Sequence, residues 1–362
     1  MNRREFVKNA GFAAVGAIAM PRIAPATYDF RTKHMIWIVN GNGSRKKDWY
    51  ERPDLSPNYA RLVKDGFVYT ESHNDTVANH NESWSELITG NPTRSATPQF
   101  PTPLHYVRNA YGDEATNYWF VNGVDSYRRW RSSAGRLPAS PVALAADNVL
   151  RANLKQTPSG IMKEEFAGME LNRGERKLLE DFVDGVVKAR LWEFNLKHQP
   201  IARHPFIGDS LGLALIPLIL KEFKPRMLIY HQVGHDAGHG DDGNGYAEYE
   251  KVCRTTDEQL GRIIDFVQND PYFSTNTAIV IRPEFGRDDE ISKDGKIHHS
   301  DGYMQTMRSA EIWYGPDFKA GISNRVTNRR DVVPSIARLF NVETPYATGM
   351  VHSEMFRNRL SS

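Results

Sequence analysis

Short runs of bulky apolar residues, each followed at once by polar residues and glycine, recur along this chain. The clearest are "HMIWIVNGNG" (34–43), "PRMLIYHQV" (225–233) and "TAIVIRP" (277–283). Such continuous apolar runs are typical of strands that are buried on both faces of a parallel sheet. Helical segments lie between them, for example "SPNYARLVKDG" (56–66), which begins with a capping Ser56 and ends at Gly66. This alternation predicts an α/β fold with a mostly parallel sheet and helices on both faces.

The region at about 100–200 has a different character. Proline-rich and aromatic segments such as "PQFPTPLHYV" give way to the charged helical pattern "ERKLLEDFVDGVVKARLWEFNLK" (175–197). We interpret this region as an inserted, largely helical lobe within one domain that spans 27–362.

The first 26 residues are typical of an export signal. Arg3 and Arg4 precede the apolar run "AGFAAVGAIAM", and "APA" (24–26) is a suitable cleavage site. The run is too short to serve as a membrane-spanning helix of the mature chain. We therefore predict export by the twin-arginine pathway to the periplasm, the cell surface or the medium. The one cysteine, Cys253, cannot form a disulfide within the chain.

The charge balance limits the classes of partner. The chain has 46 basic and 44 acidic residues among 362, so its formal net charge is only +2. Such a near balance gives no electrostatic reason to expect nucleic acid as the main partner.

Polar side chains follow three of the predicted strands. Asn40, His235 and Glu284 come after separate strands, and "KIHHSDGYMQ" (296–305) adds two histidines. Ligands bind at the carboxyl ends of the strands in sheets of this kind. Imidazole nitrogens and carboxylate oxygens from separate loops are donors that suit zinc. The sequence therefore predicts a metal centre at this edge of the sheet.

Several motifs occur in the order of a known superfamily. They are "MIWIVNGNG" (35–43), "TVANH" (76–80), "LITG" (87–90), the loop after 225–233, and "HHSDGYMQTMRSAEIWYGPDFKAGI" (298–322). In these segments the chain resembles the alkaline phosphatase-like superfamily, closest to its nucleotide pyrophosphatase/phosphodiesterase branch, which shares its core with sulfatases. The resemblance covers most of the mature chain apart from the lobe. It implies a metal-dependent hydrolase of small phosphoric esters.

The resemblance also implies roles for individual residues. Thr76 corresponds to the nucleophile and Asn79 to a donor to the non-bridging oxygen of the substrate. Counting back from "LITG" places the nucleophile position at His80 instead, because the segment is four residues longer than in the family. Both registers stay open.

For the first metal, expected to be zinc, the resemblance implies His239 and His298. His235 stands where the family has an aspartate, with the neighbouring Asp236 as an alternative.

The second metal position has lost strong donors. Asn40 stands where the family has an aspartate, and Glu284 and Phe285 stand where it has an Asp-His pair. Glu284 and Asn40 are the remaining ligands, so this site is expected to be weak.

Two classes of function follow. The first is an exported phosphodiesterase-like hydrolase with a threonine nucleophile. The alternative, suggested by the altered ligand positions, is a catalytically inactive relative that serves as a binding or assembly subunit for a protein partner. A sulfatase is not expected, because the Cys/Ser-x-Pro-x-Arg motif of those enzymes is absent.

Overall fold

A single eight-stranded sheet organises the structure, a computed structural model. The residues it describes are 28–41, 43–76, 78–92, 95, 97–123, 136–137, 141–145, 171–182, 185, 206–239, 245–299 and 304–357. The predicted export signal (1–26) lies outside them. A unit of 30–358 holds the sheet, and a second unit of 1–29 with 359–362 lies almost wholly outside the described residues.

The sheet has the strand order β4-β3-β5-β1-β6-β7-β2-β8. Neighbouring strands are parallel except that β7 runs antiparallel to both β6 and β2. This confirms the predicted mostly parallel sheet. The strands are β1 (His34–Asn40), β2 (Phe67–His73), β3 (Tyr118–Asn122), β4 (Val142–Ala145), β5 (Met227–Gln232), β6 (Thr277–Ile281), β7 (Arg308–Tyr314) and β8 (Gly321–Asn328).

Helices connect the strands and pack in two groups. In the described residues they are α1 (Lys46–Trp49), α2 (Pro57–Asp65), α3 (His80–Thr89), α4 (Pro103–Tyr111), α5 (Arg173–Asp181), α6 (Phe206–Phe223), α7 (Gly245–Asn269), α8 (Met304–Met307) and α9 (Val332–Leu339). Helix α7 packs against α6 and α2, whereas α9 packs against α3 and α4. None of the helices in the described ranges is long and apolar enough to cross a membrane.

The main core lies between the sheet and the group that contains α6 and α7. Ile36 and Ile38 of β1 and Leu228 of β5 pack there against Leu260 and Ile264 of α7. Every residue of β1, β5 and β6 is buried. Residues that alternate along these strands serve the two faces of the sheet, which explains their continuous apolar sequence.

The predicted lobe needs a correction where the structure describes it. Strands β3 and β4 come from this region and pair in parallel with each other, and β3 also pairs with β5. The run "YWFVN" (118–122) consists of aromatic and β-branched residues apart from Asn122, and all five are buried, so it belongs in the sheet. Most of 124–205 lies outside the described residues, and the extent of a helical lobe stays a prediction.

Candidate active site

The carboxyl ends of β1 and β5 meet closely. Asn40 lies beside Gln232, and both side chains are fully buried. A side chain at Gly41 would collide with the His231 imidazole and with the Gln232 carbonyl oxygen. Glycine is therefore required where β1 leaves the sheet, because His231 lies directly against its backbone.

Three metal-binding donors converge at this edge. One nitrogen each of His80 and His299 and one oxygen of Asp236 all lie within 4.8 Å of one another. His80 is the first residue of α3, Asp236 lies in the 3₁₀ turn Gly234–His239 after β5, and His299 lies in the segment before α8. Four-coordinate zinc places its donors about 3.3 Å apart, so a small contraction of this group would suit one ion.

The orientation of His299 suits metal binding. Its Nδ1 lies 3.1 Å from the carbonyl oxygen of Ala78. A carbonyl can only accept, so Nδ1 carries the proton and Nε2 carries the lone pair. Metal-binding histidines in proteins are commonly held in this way by a backbone carbonyl.

Asp236 is positioned by a buried arginine. The Arg287 guanidinium donates to the carbonyl oxygens of Gly43 and Ile297 at 2.9 Å each, and its Nη2 lies 3.5 Å from Asp236 Oδ1. Burial lowers the pKa of Arg287, and the nearby Asp236 opposes that effect. Arg287 thus connects three loops that surround the candidate site.

Of the residues predicted for the first metal, Asp236, the alternative to His235, belongs to this donor group, whereas His235 and His298 do not. His235 is buried with its ring against Tyr249, and burial lowers its pKa to about 3, so this imidazole is neutral. His235 and His298 do not join a group of three donors among the described side chains. The side chain of His239 lies outside that description. Adjacent residues of a turn point in different directions, which explains why Asp236 and His299, rather than their neighbours, reach the site.

The residues predicted to bind the second metal, Asn40 and Glu284, are fully buried. The Tyr59 hydroxyl donates to Asn40 Oδ1 at 2.9 Å, and Glu284 Oε2 lies 3.8 Å from His231 Nε2. Phe285 is buried, with its ring centroid 5.5 Å from that of His80 and 4.8 Å from that of His299. Glu284 does not belong to the described donor group. Among the described side chains, those of His80, Asp236 and His299 fit one ion.

Thr76 lies in a separate polar cluster. Its hydroxyl donates to Glu86 and accepts from Arg329 Nη2 at 2.5 Å. Asn79 caps α3, where its side-chain oxygen accepts from the backbone N–H of Glu82 at 3.2 Å. Thr76 and Asn79 thus have partners in the protein of their own, and the roles implied for both stay predictions.

Comparisons with known proteins define the class. No family model and no curated protein matches the chain at the level of sequence. Among solved structures, the wild-type alkaline phosphatase PafA matches with a TM-score of 0.59 and 11% identity over 90% of this chain and 99% of that one. An inactive variant of murine ectonucleotide pyrophosphatase/phosphodiesterase 5, in complex with AMP, matches with a TM-score of 0.51 and 10% identity over 90% of this chain and 100% of that one. A 2-O GAG sulfatase matches with a TM-score of 0.55 and 10% identity over 89% of this chain and 73% of that one.

A mostly parallel sheet with polar loops at its carboxyl edge gives the chain an open α/β fold, and proteins with such folds commonly bind ligands at that edge. Within that class, it has the alkaline phosphatase-like fold. Identities of this size show the fold alone.

Sequence reasoning missed several residues that surround the site. His231 stacks on Trp84 at 4.2 Å between ring centroids, and Glu86 and Arg329 are fully buried beside Thr76. Glu86 offers no signal in the sequence, because a glutamate in a helical segment is normally a solvated residue. Only tertiary packing, which buries nearly the whole of α3, reveals it.

Proposed function

We propose that the chain is a metal-dependent hydrolase of phosphoric esters, with one divalent cation, expected to be zinc, held by His80, Asp236 and His299. The observation that supports this most directly is the convergence of these three donors at the sheet edge. When bound, such an ion supplies Lewis-acid stabilisation of charge on a phosphoryl oxygen. Activity on phosphodiesters and a Thr76 nucleophile, both implied by the resemblance, are part of this proposal.

The residues of the chain supply positioning around that centre. Ala78 orients His299 through its carbonyl oxygen, and Arg287 holds Asp236. Thr76 is half-buried, and its hydroxyl has both a carboxylate and a guanidinium in contact. Export to the periplasm or cell surface also belongs to the proposal, and rests on the sequence of residues 1–26.

Turnover of bis(4-nitrophenyl) phosphate tests the proposal. We expect purified protein to release nitrophenol with zinc or manganese, to lose this activity on treatment with EDTA, and to regain it when metal is restored. Thr76→Ala should abolish turnover, whereas Thr97→Ala, which changes an exposed threonine, should leave it unchanged. A protein that is silent towards both phosphodiesters and 4-nitrophenyl phosphate with every metal supplied contradicts the proposal.

A second candidate is a binding protein without catalysis. The aromatic ring of Phe285 beside His80 and His299, and the Asn40 side chain held by Tyr59, favour it because neither offers a strong second-metal donor. This candidate predicts stoichiometric metal and saturable binding of a phosphodiester without release of nitrophenol. Isothermal titration with bis(4-nitrophenyl) phosphate distinguishes it from the hydrolase.

A further inference from the structure

The hydroxyl of Thr76 contacts both a carboxylate and a guanidinium group. It donates to Glu86 Oε2 in α3 and accepts from Arg329 Nη2 at 2.5 Å. Arg329 also donates to Glu86 Oε2 through Nε at 2.8 Å and through Nη2. A hydroxyl in contact with a carboxylate that a third group orients is the arrangement that activates alcohol nucleophiles in proteins.

We propose that Glu86 is the general base for Thr76 and that Arg329 positions both, so that the hydroxyl is activated by protein groups without a second metal. The reaction served rests on the proposed function, whereas the activation of Thr76 is a property of this cluster by itself.

The hydrogen bonding of Glu86 leaves room for a proton. Its Oε2 accepts from Thr76 and Arg329, whereas no N–H or O–H group donates to Oε1 within the described structure, and the Asp75 carboxyl lies next to that of Glu86. Arg330 Nε lies 3.6 Å from Oε1, too far for a hydrogen bond. Arg329 Nη1 is buried and likewise makes no hydrogen bond there.

The charges around Glu86 explain its basicity. Burial raises the pKa of the Glu86 carboxyl, the charge of Arg329 opposes this, and the adjacent Asp75 raises it further. The other charged groups that face the cluster are Arg282, Arg330 and Glu284. A carboxylate with a raised pKa takes up a proton more readily than a solvated one does.

The step balances within this cluster. The Thr76 oxygen forms a bond to phosphorus and its proton passes to Glu86, while the bond from phosphorus to the leaving oxygen breaks and its electron pair departs with that oxygen. Arg329 stays protonated and donates to the Thr76 oxygen as negative charge develops on it.

The chain contains a matched control for this arrangement. Ser72 donates to Glu311, and Arg282 Nη2 donates to the Ser72 oxygen at 3.2 Å. All three are fully buried, and Ser72 lies within the sheet, whereas Thr76 is partly exposed. The same three chemical groups therefore occur once around a partly exposed hydroxyl-bearing residue and once around a fully buried one.

Labelling by diisopropyl fluorophosphate tests the assignment. The Thr76 oxygen should displace fluoride from phosphorus, and peptide mass spectrometry should find the adduct on Thr76. We expect Glu86→Gln to slow labelling by about 100-fold or more, because general bases contribute on that order, and to remove the decrease in rate at acidic pH. Glu311→Gln should lower thermal stability but leave the labelling rate within about threefold. Circular dichroism melts establish that both variants are folded.

Labelling and turnover separate this inference from the proposed function. Label on Thr76 that depends on Glu86, in a protein without phosphodiester turnover, supports the inference and contradicts the function. Turnover with equal labelling of wild type and Glu86→Gln, or with label on His80 instead, overturns the inference and retains the function. If neither labelling nor turnover is observed, both the inference and the proposed function are overturned.

Discussion

At the scale of single residues, Arg287 is the side chain on which the site loops depend. It is fully buried and donates to the carbonyl oxygens of Gly43 and Ile297. Arg287→Met leaves these acceptors without their donor, and each buried unpaired group costs about 1–3 kcal/mol. We expect the free energy of unfolding to fall by about 2–5 kcal/mol in urea titrations. Arg61→Met, which removes an exposed ion pair with Asp265, should change it by less than about 1 kcal/mol.

His34 gives a prediction about pH. Its Nδ1 contacts the carbonyl oxygen of Pro225 at 2.7 Å, and burial lowers its pKa from 6.5. The folded chain thus keeps His34 neutral at a pH where the unfolded chain protonates it, so stability is lost as the pH falls below 6.5. His34→Phe should reduce that loss between pH 6.5 and 5 by up to about 1.4 kcal/mol per pH unit. If the free energy of unfolding decreased equally with falling pH in the two proteins, this prediction would be contradicted.

The metal-binding roles implied by the sequence stay predictions. The sequence indicates His235, with Asp236 as its alternative, and His298, whereas Asp236 and His299 belong to the donor group of the structure. In an irregular loop, no periodicity tells which of two adjacent side chains faces the site. The sequence also gives no indication that Arg287 and Glu86 belong near the site, because their burial depends on loops and helices distant in the sequence.

At the scale of secondary structure elements, the start of α3 carries two separable roles for Asn79. Its oxygen caps the helix, and its amide nitrogen is the donor implied by the resemblance. Asn79→Asp keeps the cap and removes the donor, so stability should change by less than about 0.5 kcal/mol. Turnover should fall by about 100-fold if the amide stabilises developing charge. Asn79→Ala loses the cap as well, at about 1 kcal/mol. Melting curves and nitrophenol release, measured on both variants, check this.

Elements with a strong apolar pattern were predicted correctly. The runs at 34–43, 225–233 and 277–283 are β1, β5 and β6. Strand β8 was not predicted, because half of the residues of "GISNRVTN" are exposed at the sheet edge and the run carries little apolar signal. Strand β3 was assigned to a lobe because its aromatic residues lie in a region rich in proline and charge. Its pairing with β5 is a long-range contact that local pattern does not show.

At the scale of the whole molecule, metal binding should stabilise the fold. The donor group joins α3, the turn after β5 and the segment before α8, which are distant in the sequence, so the unfolded chain cannot present it. Zinc at 100 times its dissociation constant should therefore raise the free energy of unfolding by about 2.7 kcal/mol, an effect that EDTA reverses.

Single substitutions then decide between the two ligand sets. His80→Ala and His299→Ala should each remove most of this zinc-dependent stabilisation, because loss of one donor of three weakens the site. His298→Ala is the matched control, since it changes the adjacent imidazole and leaves the donor group intact. Thermal melts with and without zinc measure the difference. If His298→Ala loses the stabilisation while His80→Ala keeps it, the metal lies where the resemblance places it, and the donor group of the structure is only a polar contact.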